Sequence, residues 1–263
     1  MMPRPRIKVL DKTFHILDLF DERGKKLSAK EIVDTLNINK STASRILSIL
    51  EGKDYLERDP KSLKYRLGLK LYFLGSLVEG IGEMQQLARP FLQELVHQCE
   101  ETVHLVIFSH GEALYVDKIE GKRALRMVSR VGMSLPAHCS GVGKVLLSYL
   151  DTEALHAIIA AKGLSRFTNN TITKMNTLKT ELSKIRQQGY AIDNEEIEVG
   201  LKCVAAPVSD VNDHIIAAIS VAGPKDRLTD LELRRLIPLV RTSAEKISGA
   251  FKKKKLDGRI LLQ

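Results

Sequence analysis

Lys40, Ser41, Thr42, Ser44 and Arg45 fall within six consecutive residues. Hydroxyls bond phosphate oxygens or base edges, and a guanidinium grips the O6/N7 pair of guanine bidentately, so this set has the chemistry of a nucleic-acid contact. A second set is the glycine-rich run Pro136-Ala137-His138-Cys139-Ser140-Gly141-Val142-Gly143-Lys144. If it ends in a helix, its free N–H groups could receive an anion such as a carboxylate; otherwise the glycines make a tight turn. Asp193-Asn194-Glu195-Glu196, followed by Gly200-Leu201-Lys202-Cys203, is a third set, whose carboxylates either bind a ligand or face solvent. Cys139 beside His138, and Cys203 near Asp193, contain a nucleophile and a base, but adjacent residues do not generally face each other. The same thiols could sense oxidants only with a lowered pKa and exposure.

The elements that must position these residues are legible as periodicity. Leu10, Phe14, Leu17 and Phe20 recur at three and four, which predicts a first helix ending at Gly24. Ser28 stands three residues before Glu31 in a capping box, with Ile32, Val33 and Leu36 as the buried side of a second helix. Asn37-Ile38-Asn39 is a tight turn, and Ser41 opens a third helix through Leu50 with Ile46, Leu47, Ile49 and Leu50 apolar. Two short helices across a tight turn fit a helix-turn-helix, whose second helix offers its N-terminal side chains to the DNA major groove. Strands at Tyr55 to Arg58 and Lys64 to Leu67 around Asp59-Pro60-Lys61-Ser62 would form a wing. Residues 69 to 84 predict a linker helix interrupted by Gly75, Gly80 and Gly82, with an apolar stripe that packs on another subunit or on its own domain.

Beyond it, a helix from Leu87 to Cys99 precedes strands at Thr102 to Ser109, Glu112 to Glu120 and Leu125 to Arg130, read as a meander. Helices at Gly141 to Tyr149, Thr152 to Ala161 and Met175 to Gln188 follow, then strands at Tyr190 to Asn194, Cys203 to Ser209 and Ile215 to Val221. A closing helix spans Asp230 to Phe251. This mixed order predicts an α+β domain around a central sheet. The division is 7–68 for the winged helix-turn-helix, 69–84 for the linker and 85–254 for the larger domain.

Charge supports that division. The 263 residues carry a net +9. Residues 1–70 hold +6 and the rest +3, and the Lys252 to Lys255 run, read as a solvated end, dominates the latter. No apolar stretch is long enough to span a bilayer, no GxGxxG or Walker pattern supports a nucleotide, and three widely spaced cysteines offer no zinc spacing. No cofactor, no metal and no membrane association are expected. Odd cysteines and a start without an apolar run point to a reducing, cytoplasmic setting.

Taken together these stretches carry a resemblance. Leu27 to Arg45 resembles the DNA-binding domain of IclR-type bacterial transcriptional regulators. Arg130 to Lys144 (RVGMSLPAHCSGVGK), Gly189 to Val208 (GYAIDNEEIEVGLKCVAAPV) and Ala218 to Pro224 (AISVAGP) are similar to three signatures of that family's effector domain. The resemblance implies a winged helix joined by a linker helix to a GAF-like effector domain, assembled as homodimers or homotetramers on operator DNA, without catalysis. Repression is the expected sign, modulated by a small organic acid or sugar-derived metabolite. Ser28, Lys40, Ser41, Thr42, Ser44, Arg45, Lys61 and Lys64 would serve DNA binding. Ala124, Met127, Gly141, Val142, Asp193, Cys203, Ser220 and Ala222 would line the effector pocket: N–H groups near Gly141 and Val142 for a carboxylate, Ser220 for a hydrogen bond, Asp193 for a hydroxyl, Met127 and Cys203 for an apolar wall. Ala222 departs from the hydroxyl found there in glyoxylate-responsive members, and Ala124 is smaller than their leucine; both allow a roomier ligand.

Overall fold

A computed structural model describes residues 7–21, 24–123 and 128–256, and the chain divides after Val78 into two compact units. The smaller unit begins with α1 (Lys8–Asp18), α2 (Ala29–Leu36) and α3 (Lys40–Gly52). Its core gathers Ile16, Phe20, Ile32, Ile46, Leu47, Leu50, Leu56 and Tyr65. Burying each of the large aliphatic members contributes about 1.5 to 3 kcal/mol. Helix α1 therefore packs through Ile16, with Phe20 just beyond its end and Leu17 partly covered, and not through the whole predicted stripe: Phe14 is 59% exposed and Leu10 also faces outward. In α3, Ile49 is likewise 64% exposed, because Ala43, Ile46, Leu47 and Leu50 fill the inward face.

Strands β1 (Leu56–Arg58) and β2 (Tyr65–Leu67) pair antiparallel with Glu57 opposite Arg66. Leu27 adds an isolated bridge to Tyr65. The hairpin turn is organised by Asp59, whose carboxylate accepts the backbone N–H groups of Lys61 (2.9 Å) and Ser62 (3.0 Å) and the Lys26 ammonium at 3.1 Å. Those donors hold its pKa well below the ordinary carboxylate value. The predicted linker helix, interrupted by glycines, is two pieces. Helix α4 (Leu69–Ser76) belongs to the smaller unit and buries none of its residues, and the chain then passes Gly80, in the left-handed region at φ 80°.

The larger unit opens with α5 (Ile81–Cys99). It starts earlier than predicted because the buried stripe of Leu92, Leu95, Val96 and Cys99 extends back to Ala88 and Met84. A six-stranded antiparallel sheet follows, from β3 (Thr102–Ser109), β4 (Glu112–Ile119), β5 (Ser134–Pro136), β6 (Ala191–Asn194), β7 (Leu201–Ser209) and β8 (Ile215–Pro224), ordered β5-β4-β3-β8-β7-β6. The meander's third strand is thus Ser134–Pro136: of the predicted Leu125 to Arg130, residues 128–130 are not strand, and the remainder lies outside the described residues. On one side of the sheet lie α5 and α9 (Asp230–Lys253), their core including Leu92, Val103, Leu105, Ile219 and Leu236. The other side carries α6 (Gly141–Ser148), α7 (Thr152–Lys162) and α8 (Met175–Gln188), packed over Val106, Ala205 and Ala218.

Candidate functional site

Helix α2 is fastened at its start. Ser28 Oγ accepts the Glu31 N–H at 3.2 Å and Glu31 Oε2 accepts the Ser28 N–H at 2.6 Å. Asn37 then adopts the left-handed conformation (φ 49°, ψ 49°), and its N–H bonds Val33 O, which stops α2 and turns the chain into α3. Lys40, Ser41, Ser44 and Arg45 project outward from α3, Thr42 is half-buried, and among the described residues no ion pair ties Lys40 or Arg45. Lys61 stands exposed at the wing turn. Two of the predicted contacts have other partners in this structure: the Ser28 hydroxyl caps α2, and Lys64 is paired with Glu31 at 3.5 Å.

In the larger unit the strand register brings the second predicted set together. Asp193, Cys203 and Ala222 are successive partners across β6, β7 and β8, and Ser220 lies in the adjacent same-face row beside Ala205. Above them sits the start of α6: a Cβ placed on Gly141 would come 2.5 Å from Cys203 Sγ, so only glycine permits this approach. The Cys203 sulfur therefore lies against the Gly141 backbone, where the ligand carboxylate is expected. Ser140 caps α6, its Oγ accepting the Gly143 N–H at 3.3 Å, and Val142 packs into the core. Ala124 and Met127 lie outside the described residues.

Buried polar groups surround this cluster, and one of them, His104, was missed by sequence reasoning. His104, on β3 opposite Ser220, is 0% exposed; its Nε2 lies 2.8 Å from Ser129 Oγ and its Nδ1 3.4 Å from Ser220 Oγ. A β-bulge between Leu105 and Val106 brings the Tyr115 ring to 4.6 Å from the imidazole. Burial, with Lys118 nearby, pushes the His104 pKa down to about 3, so the ring is neutral. A polar residue inside the apolar run Val103 to Ile107 was the available signal. Lys144, equally buried, donates to Ile192 O at 2.8 Å and pairs with Glu196 Oε1. Asp193 Oδ1 accepts the Glu196 N–H at 2.8 Å. Burial of Asp193, with Glu196 nearby, raises its pKa to about 7. The thiols of Cys99 and Cys139 are pushed up by burial to about 11 and about 12, and Cys203 also upward, the reverse of what a thiolate nucleophile or sensor needs.

The model of the IclR helix-turn-helix domain matches residues 9–60, and that of the bacterial transcriptional regulator IclR C-terminal domain matches residues 81–249. The chain belongs to the IclR family of bacterial transcriptional regulators. It is similar to the HTH-type transcriptional regulator XynR of Escherichia coli K12, 37% identical over 87% of this chain and 91% of that one. It is also similar to the HTH-type transcriptional repressor AllR of the same strain, 34% identical over 92% and 90%. A crystal structure of an IclR homolog from Microbacterium hydrocarbonoxydans, complexed with 4-hydroxybenzoate, superposes at a TM-score of 0.80 over 94% of this chain and all of that one. At 24% identity, that likeness speaks for the fold. The chain is a DNA-binding regulator of transcription and not an enzyme, with the family's helix-turn-helix followed by its effector domain.

Proposed function

We propose that the protein recognises operator DNA through Lys40, Ser41, Thr42, Ser44 and Arg45 at the start of α3, with Lys61 of the wing on the phosphate backbone. Ser28 and Lys64 then act indirectly, by fixing α2 and the wing. A small carboxylic acid bound among Gly141, Val142, Asp193, Cys203, Ser220 and Ala222, together with Ala124 and Met127, alters operator affinity. What carries the proposal is the gathering of Gly141, Asp193, Cys203 and Ala222 at one place on the sheet under the start of α6, in a chain whose α3 presents an exposed hydroxyl-and-cation face. The 4-hydroxybenzoate complex of the Microbacterium protein supports an acid as the ligand class, and the similarity to AllR supports repression. The acting species is a homodimer or homotetramer, since two-fold symmetry sets two recognition helices on adjacent half-sites. The proposed domain limits are 7–68 and 85–254, with 69–84, which spans α4 and the first turn of α5, as the linker between them.

A gel-shift with DNA upstream of the protein's own gene, across a salt series and with a panel of small organic acids, tests this function. Salt-sensitive, sequence-selective binding altered by an acid is the expected result. Binding indifferent to every acid would remove the effector half, and no binding at any salt would remove the assignment of α3. By linkage, operator DNA must change effector affinity by the same factor as effector changes operator affinity.

A further inference from the structure

On the α6 side of the sheet buried carboxylates gather, and among the described residues the cations beside them, Lys144 and Lys118, are already engaged. Asp193, 2% exposed on β6, is faced by Cys203 from β7, Tyr115 from β4, Cys139 from the short 3-10 turn (Ala137–Cys139), Glu196 from the segment after β6 and Lys144 from α6. Lys144 is the single cation of that set, and it is engaged by Ile192 O and Glu196, with Glu181 of α8 at 3.8 Å behind it. Glu196 Oε2 has no hydrogen-bond partner. One row away, Lys118 donates to Ser129 O at 2.7 Å and pairs with Glu120 at 3.1 Å, while His104 is neutral. An effector carboxylate docking against Asp193 would set two like charges together in a buried site, which disfavours ionisation of both.

A proton removes the conflict, since Asp193 as a neutral acid donates the hydrogen bond that its carboxylate cannot. We propose that the pocket takes up its effector as an acid: the carboxylate and one proton bind together, the proton residing on Asp193 and bridging to a carboxylate oxygen of the ligand. The balance is one ligand anion and one proton per site, with no other group changing charge. This rests on the reading of the ligand as a small carboxylic acid. It narrows that class to monoanions, because a dianion would bring a second charge that finds no free cation among the described residues of the site. Burial already holds Asp193 partly protonated near neutrality, so net uptake is fractional there and approaches one proton well above it.

Calorimetric titration of the full chain with 4-hydroxybenzoate and with glyoxylate, from about pH 6 to about pH 8.5 in two buffers of different ionisation heat, measures both quantities. The expected result is affinity falling about tenfold per pH unit above neutrality, with uptake approaching one proton per ligand. Asp193→Asn should flatten that dependence, and uncharged 4-hydroxybenzamide should show none in the wild type. A carboxylate that binds the wild type with flat affinity and no proton uptake overturns the proposal, whether or not the variant folds. An infrared carboxyl titration of the ligand-free protein, wild type minus Asp193→Asn, separates the two layers. A protonated band persisting to about pH 7 is expected, with fractional uptake near neutrality; a band lost below about pH 5 requires a full proton per ligand across the whole range, and fractional uptake in that case overturns the proposal. If the band persists but neither acid binds at any pH, the effector reading is what fails, and the proposal falls with it.

Discussion

Two buried titratable side chains on one face of the sheet respond to pH in opposite senses. Asp193 is raised to about 7, chiefly by burial, so between the ordinary carboxylate pKa and neutrality the folded chain holds a proton that the unfolded chain has lost. Its stabilisation is complete in acid and declines as pH rises through that window. The melting temperature of the wild type should therefore fall, relative to Asp193→Asn, between about pH 4 and about pH 7, and level off above that. His104 is pushed down to about 3, so below the ordinary histidine value the unfolded chain binds a proton that the folded one refuses. Stability from that group is present above about pH 6.5 and is lost toward pH 3, and His104→Gln should blunt the acid-side loss in the same thermal scans. Packing adds a further prediction. Gly141→Ala places a Cβ against Cys203 Sγ, where 2.5 Å is available, and should destabilise the larger unit by about 1 to 3 kcal/mol in urea unfolding. Combining it with Cys203→Ala should recover part of that loss, because the clash is with the sulfur; no recovery would show that the backbone itself resists.

At the scale of elements, the caps and the turn set the geometry that α3 presents. Ser28→Ala removes the acceptor for Glu31 N–H and should cost the smaller unit about 1 kcal/mol, read from its thermal unfolding. Operator affinity should follow only as far as α2 frays. Arg45→Ala should cost about 1 to 3 kcal/mol of specific binding and relax preference at one base pair. Lys61→Ala should weaken all sequences alike and lower the salt slope by about one. Element order was legible in the sequence, since capping, alternation and turn chemistry act locally: the Ser28 box, the Asp59 turn and the helix Met175–Gln188 are where local rules place them. Inward facing was less legible. Leu10, Phe14 and Ile49 carry apolar side chains outward, because the actual core is decided by neighbours far along the chain. Gly141, Asp193, Cys203 and Ala222 were found through motifs, and the register explains why these distant motifs belong together. His104 escaped notice, and Lys144 was read only as the end of the glycine-rich run, because their partners, Ser129 and Ser220 for one and Glu196 for the other, are 25 to 116 residues away.

For the molecule as a whole, the decisive feature is apolar surface that the smaller unit leaves uncovered. On α4 and just beyond it, Leu69, Tyr72, Phe73, Leu77 and Val78 are all more than half exposed, Tyr72 at 78%, and α1 adds Phe14. Patches of this kind on soluble chains mark association surfaces, and a regulator that reads paired half-sites needs a second copy. Self-association through α1 and α4 would hold two copies of α3 at a fixed spacing, so oligomerisation and operator recognition should fail together. Replacing Tyr72 and Phe73 with Asp, away from the Ile16–Ile32–Leu47 core, should leave the helical content of the fold unchanged while sedimentation velocity shifts toward smaller species at micromolar protein. The same variant should lose operator affinity, since each subunit would then bind one half-site alone, yet retain weak salt-dependent binding through Arg45 and Lys61. A variant that sediments as wild type would show that α4 is covered in some other way. One that dissociates but keeps full operator affinity would separate half-site spacing from this helix.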